Sequence, residues 1–172
     1  MNEPIPVQFT SYLKTALQGD LGNSMIYNRP VSEMISERVG ATVLLGLTAA
    51  ILAALIGTIM GICAARREGR IFDVVSSGTS YVFNSMPNFW LGLMLILVFS
   101  SGLGLLPSYG MTDTRASYTG IMYYMDIAKH MVLPVATLTL VLIPQYFRIA
   151  KSSVLQVTNE DLRHNTQSCR HE

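Results

Sequence analysis

The residues best placed to do chemistry are Asn84, Ser85 and Asn88, which surround Pro87 inside an apolar stretch free of charge from Val74 to Thr112. A proline there removes a helical hydrogen bond and clashes with the preceding turn. In lipid, the freed carbonyls and these amide and hydroxyl groups are tolerated only where protein or a water-filled path satisfies them. A kink satisfied by neighbouring helices and a path for a polar solute fit these residues equally. Gln145, beside Pro144 in a second apolar stretch, repeats the arrangement. Asn84, Ser85, Pro87, Asn88 and Gln145 are therefore the candidate lining of a path.

Catalysis is not indicated. No paired carboxylates, Ser/His pair or His/Glu pair falls within the apolar stretches, and no lysine sits in a glycine-rich phosphate loop. His130, His164 and His171 share no metal-ligand spacing, and Cys63 and Cys169 suggest neither a disulfide framework nor a metal site. No cofactor is implied.

The elements that position these residues belong in a membrane. Of 172 residues, 50% are hydrophobic and 13% charged, against roughly 25% charged in an ordinary soluble domain. Mean hydropathy is +0.37. A net charge of +1 gives no reason to expect a nucleic-acid partner. Crossing ~30 Å of hydrocarbon at ~1.5 Å per residue takes about 20 apolar residues. Three stretches meet that length, giving an all-α, polytopic fold with spans over about 41–65, 73–106 (kinked near residue 87) and 131–150. Residues 1–40 form an extramembrane segment, with an amphipathic helix over 7–18 and a second short helix opened by Arg29-Pro30. Residues 104–130 form an outer loop whose tyrosines (Tyr109, Tyr118, Tyr123, Tyr124) suit an interfacial belt.

The first span carries small residues at every fourth position: Ala49, Ala53, Gly57, Gly61 and Ala65. Such a row lets another helix approach closely, which is how helices associate where lipid offers no hydrophobic drive. Arg66, Arg67 and Arg70 then make a basic turn, which belongs on the cytoplasmic side. With the tail left out, the tally is even, with Arg148 and Lys151 also inside and Lys14, Arg29, Arg38, Arg115 and Lys129 outside. Density next to the spans decides the orientation.

Five ordered blocks carry a resemblance: Gln18-Gly19-Asp20-Leu21-Gly22-Asn23-Ser24, Arg29-Pro30-Val31, Ser85-Met86-Pro87-Asn88-Phe89-Trp90-Leu91-Gly92, Leu103-Gly104-Leu105-Leu106-Pro107-Ser108-Tyr109-Gly110 and Lys129-His130-Met131-Val132-Leu133-Pro134. Over about residues 1–161 the chain resembles the integral membrane permease subunit of dipeptide/oligopeptide-type ABC importers, a group that includes nickel and glutathione permeases. The resemblance implies a six-helix permease in the bacterial inner membrane, of which three spans are present. It implies a homologous second permease, two cytoplasmic ATPases that supply the energy, and a periplasmic substrate-binding protein.

The resemblance also implies a membrane helix before Met1 and a cytoplasmic coupling segment that begins at Glu160 and Asp161. In place of that segment stands a polar stretch over 158–172. Removing one base after codon 161 from a permitted back-translation yields Asp-Tyr-Val-Ile-Thr-Leu-Lys-Ala-Ala-Gly-Met, close to the start of the coupling motif. This register predicts a single-nucleotide frameshift near residue 161, and a 172-residue product that alone neither transports nor binds an ATPase. The competing reading is a small non-enzymatic membrane protein that binds another membrane protein through its small-residue face.

Overall fold

The computed structural model describes residues 4–113 and 118–168, with residues 159 and 161–168 as backbone only. Arg115 and the tail from Cys169 to Glu172 lie outside the described residues. The chain divides into two compact units, Met1–Leu44 and Leu45–Glu172.

In the first unit, α1 (Ile5–Leu17) starts directly after Pro4, whose missing N–H costs a helix start nothing. Gly19 and Gly22, both at positive φ, end it and reverse the chain. The Asp20 carboxylate accepts the Gly22 N–H at 2.9 Å. A short antiparallel bridge, Asn23 to Pro30, then delivers the chain to α2 (Val31–Ala65). Arg29 forks to Glu33 at 3.2 Å and Glu37 at 2.6 Å. Donating hydrogen bonds to Glu37, then Glu33, raises the Arg29 guanidinium pKa above its ordinary range. The short second helix expected after Arg29-Pro30 is not separate. The helix opened at Val31 continues to Ala65, because Gly40 costs only about 1 kcal/mol in a helix interior and cannot end it alone.

In the second unit, α2 turns at the basic loop into α3 (Ile71–Ser85), followed by α4 (Asn88–Leu95) and a π-helical turn (Ile96–Gly102). The expected kink is a full break, and the two halves meet at 103°. Met86 stands extended at φ −80 and ψ 136, because a residue before proline is pushed out of the helical region. Pro87 then caps α4 rather than bending a continuous helix.

The last element, α5 (Ile121–Ser168), is 48 residues long with Pro134 and Pro144 inside it. It starts ten residues before the expected span, so Tyr123 and Tyr124 are helical rather than in a loop, packed edge to face at 5.7 Å. No glycine or proline follows Pro144 as far as Ser168, so nothing in the backbone stops the helix where the composition turns polar at residue 158. Among the described residues, two helices, α2 and α5, are long and apolar enough to cross a membrane, or three spans if the broken α3–α4 pair counts as one.

Three observations set the directions in this unit. A Cβ on Gly57 would lie 2.8 Å from Tyr146 Cβ, and one on Gly61 2.6 Å from the Phe147 carbonyl oxygen. Thr139 Oγ1 donates to the Ala49 carbonyl at 3.5 Å. Residue numbers rise together on the two helices, so α2 and α5 run parallel. The broken segment runs the other way along α5, with Asp73 beside Lys151 and Gly92 beside Thr137. The buried core is correspondingly thin: Ala49, Ala53, Ala64 and Ala65 from α2, Leu91 from α4, and Leu133, Val135 and Phe147 from α5.

Candidate functional site

The break at Met86-Pro87 distributes the expected path residues rather than gathering them. Asn84 lines a cavity of about 260 Å³ between α3 and α5, shared with Pro144, Phe147, Arg148 and Lys151. Ser85 and Pro87 line an open groove with Tyr81 and Trp90. Asn88 lines a third cavity, with Tyr109 and His130. Gln145 is exposed and lines none of these three. The geometry has a simple origin. Asn84 is the penultimate residue of α3 and Asn88 the first of α4, so the sharp bend sends the two amides to different cavities.

Each residue of the small-residue row, Ala49, Ala53, Gly57, Gly61 and Ala65, is buried. At Gly57 and Gly61 the near neighbours are backbone atoms of α5, among them the Ile143 carbonyl oxygen and the Lys151 nitrogen. Backbone-to-backbone approach of this kind requires the absence of a side chain. Glu160 is exposed on the extension of α5, and Asp161 follows it in the helical backbone.

One polar cluster escaped the reading of the sequence. Lys151 Nζ pairs with the Asp73 carboxylate and donates to Ser77 Oγ at 3.2 Å. Ser77 Oγ donates to Asp73 Oδ1 at 3.1 Å, and the Gly69 N–H donates to Oδ2 at 3.2 Å. The Asp73 side chain keeps only 9% exposure and that of Lys151 22%. The cluster therefore ties the loop after α2, the first turn of α3 and the C-terminal half of α5 together. The signal was available: Asp73 is the sole carboxylate between Glu68 and Asp113. A lone acid at the edge of an apolar segment needs a partner. Arg67 lies over the Phe72 ring at 5.8 Å. Together with Arg66 and Arg70, Arg67 concentrates positive charge in the loop after α2, next to the Asp73–Lys151 pair.

At the other end of α5, His130 Nδ1 lies 3.3 Å from Asp126 Oδ1 and 2.9 Å from the Asp126 carbonyl oxygen. Asp126 Oδ2 accepts the Asp113 N–H at 2.7 Å, which fastens the preceding loop to α5.

Comparison with known proteins agrees with the sequence blocks. The chain is 34% identical over 162 residues to the oligopeptide transport system permease protein AppB of Bacillus subtilis, covering 94% of this chain and 50% of that protein. It is 33% identical over 178 residues to the dipeptide transport system permease protein DppB of Escherichia coli (94% and 52% covered). It is 36% identical over 161 residues to the glutathione transport system permease protein GsiC of Salmonella choleraesuis (94% and 48% covered). The chain thus spans about half the length of the curated relatives it matches. Residues 53–165 match the profile of the binding-protein-dependent transport system inner membrane component. On that match, which takes in the basic turn, the broken segment and the paired faces of α2 and α5, the chain belongs to the family of binding-protein-dependent transport system inner membrane components.

Proposed function

We propose that the chain is a transmembrane subunit of an ABC importer in a bacterial inner membrane, forming part of the path of a peptide-like substrate. Its relatives are named for oligopeptides, dipeptides and glutathione. The observation that carries the reading is the break at Met86-Pro87, which presents Asn84 and Asn88 to cavities along α5 inside an otherwise charge-free segment. The chain performs no bond chemistry in this account. Energy comes from two cytoplasmic ATPases, which act through differential binding to two conformations. A homologous second permease and a periplasmic binding protein complete the assembly, and the α2 row serves as the packing face within the subunit. The competing reading, a free-standing protein that recruits a partner through that row, loses its surface, because Gly57 and Gly61 are already occupied by α5.

Cysteine accessibility tests the path. In a background lacking Cys63 and Cys169, cysteines at Asn84 and Asn88 should react with a membrane-impermeant thiol reagent about tenfold faster than cysteines at Leu55 and Leu97, because the reactive thiolate forms only where water reaches. Leu55 and Leu97 are 56% and 59% exposed in the protein alone and face lipid in this account. Equal rates at all four positions would contradict the path.

A further inference from the structure

Three of the sequence blocks that mark the family, far apart in the chain, line one cavity. Asn88, Phe89 and Gly92 come from the first, Pro107 to Gly110 from the second, and His130, Leu133 and Pro134 from the third. The convergence has a backbone cause. The helix after Leu95 widens into a π-helical turn, in which the Leu103 N–H reaches back to the Val98 carbonyl at 3.0 Å. Such turns are uncommon and concentrate at functional positions. Gly104 at φ +63 and Gly110 at φ +84 then fold the loop back, so that a Cβ on Gly110 would lie 4.0 Å from His130 Cδ2.

The chemistry of the wall is specific. Among the described residues, no Lys, Arg, Asp or Glu lines it. Its polar groups are the Asn88 amide, the Ser108 hydroxyl, the Tyr109 phenol, the His130 imidazole and Thr137, set among Phe89, Ile96 and Leu133. Thr137 is satisfied by the Leu133 carbonyl at 2.8 Å, and the His130 Nδ1 by Asp126. The side chains of Asn88, Ser108 and Tyr109 have no partner among the described residues. An amide carries both donors and an acceptor, and a phenol or hydroxyl does either. Neutral groups of both kinds, spread over a partly apolar wall, recognise a ligand that carries both kinds itself. The volume is about 490 Å³, within the range of roughly 300–1,000 Å³ for small-molecule sites.

We propose that this cavity, walled by Asn88, Ser108, Tyr109 and His130, is a binding site for the backbone of a short peptide. The inference rests on the transport reading above and adds the place where the solute is held. Asn88 and Tyr109 pair with its amide groups, Phe89 and Leu133 cover its apolar side chains, and the missing side chain at Gly92 leaves the space it occupies.

Protection from labelling tests the site. The full chain in lipid nanodiscs, free of Cys63 and Cys169, would carry Ser108→Cys, or Asn84→Cys for comparison, and be treated with a membrane-impermeant maleimide with and without dialanine or trialanine. At a peptide concentration about ten times the dissociation constant, labelling of Ser108→Cys should slow about elevenfold. Adding Gly92→Leu, which fills the cavity, should abolish that slowing, each rate being compared with that of the same variant free of peptide. Slowing at Asn84→Cys but not at Ser108→Cys would overturn this site and leave the transport reading standing. Slowing at neither position would also overturn the site. The peptide-free rate of Asn84→Cys, read in the same experiment, then judges the transport reading separately.

Discussion

Gly61→Leu should collapse the packing of α2 against α5. A Cβ at residue 61 would sit 2.6 Å from the Phe147 carbonyl oxygen, 2.8 Å from Ala150 Cβ and 3.1 Å from the Lys151 nitrogen. Two of these three atoms are backbone, so no rotamer change relieves the clash and the helices must part. Overpacking a core costs about 1–3 kcal/mol where side chains can give. Here they cannot, and a cost of at least about 3 kcal/mol follows from the same rule. For a chain of this size that is a fall of roughly 6–12 °C in the unfolding midpoint of the detergent-solubilised protein. Gly61→Ala should show a smaller fall, and Gly46→Ala none, since nothing lies within 4 Å of a Cβ there. Equal midpoints for the substitutions at Gly46 and Gly61 would contradict the close approach of the two helices.

Removing one partner of the Asp73–Lys151 pair should have the next largest effect. Breaking a fully buried pair costs about 3–5 kcal/mol, because the remaining charge is stranded. Lys151 keeps 22% side-chain exposure, so the cost of Lys151→Met should fall to about 2–3 kcal/mol. The sign of the coupling is the sharper test. Asp73→Asn in the Lys151→Met background leaves no stranded charge, and an asparagine side chain still accepts the Gly69 N–H. The double variant should therefore be more stable than Lys151→Met alone, with a coupling energy above about 1 kcal/mol. Additive effects would mean that the two groups do not act on each other in the membrane.

The parts of the fold that periodicity and composition carry were legible from the sequence. Long charge-free segments located α2 and α5, and the fourth-residue spacing of small residues located the face that α5 covers. The failures have specific causes. The limit at residue 40 was drawn where the charges stop, after Arg38, although a change of composition does not end a helix and α2 runs across it. Pro87 was read as an interior kink, whereas the restriction it places on Met86 ends α3 altogether and turns the chain by 103°. Tyr123 and Tyr124 were assigned to a loop because their polarity suits an interface, yet no breaker separates them from α5. Of the path residues, Asn84 and Asn88 line cavities, but their separation depends on the angle of the break. The lone Asp73 signalled that a partner was needed, but the contact bridges 78 residues, and no local pattern names Lys151 as that partner.

The account turns on whether the broken segment from Ile71 to Gly102 crosses the membrane or turns back within it. A bend of 103° is compatible with either a broken span or a re-entrant loop. Single cysteines at Glu68, Ser152 and Tyr109, labelled with an impermeant thiol reagent in right-side-out and inverted vesicles, decide between them. The account predicts that Glu68 and Ser152 react only in inverted vesicles and Tyr109 only in right-side-out ones, so that the segment crosses once and α2 and α5 run the same way. Reaction of Tyr109 from the same side as Glu68 would make the segment re-entrant and contradict the proposed path.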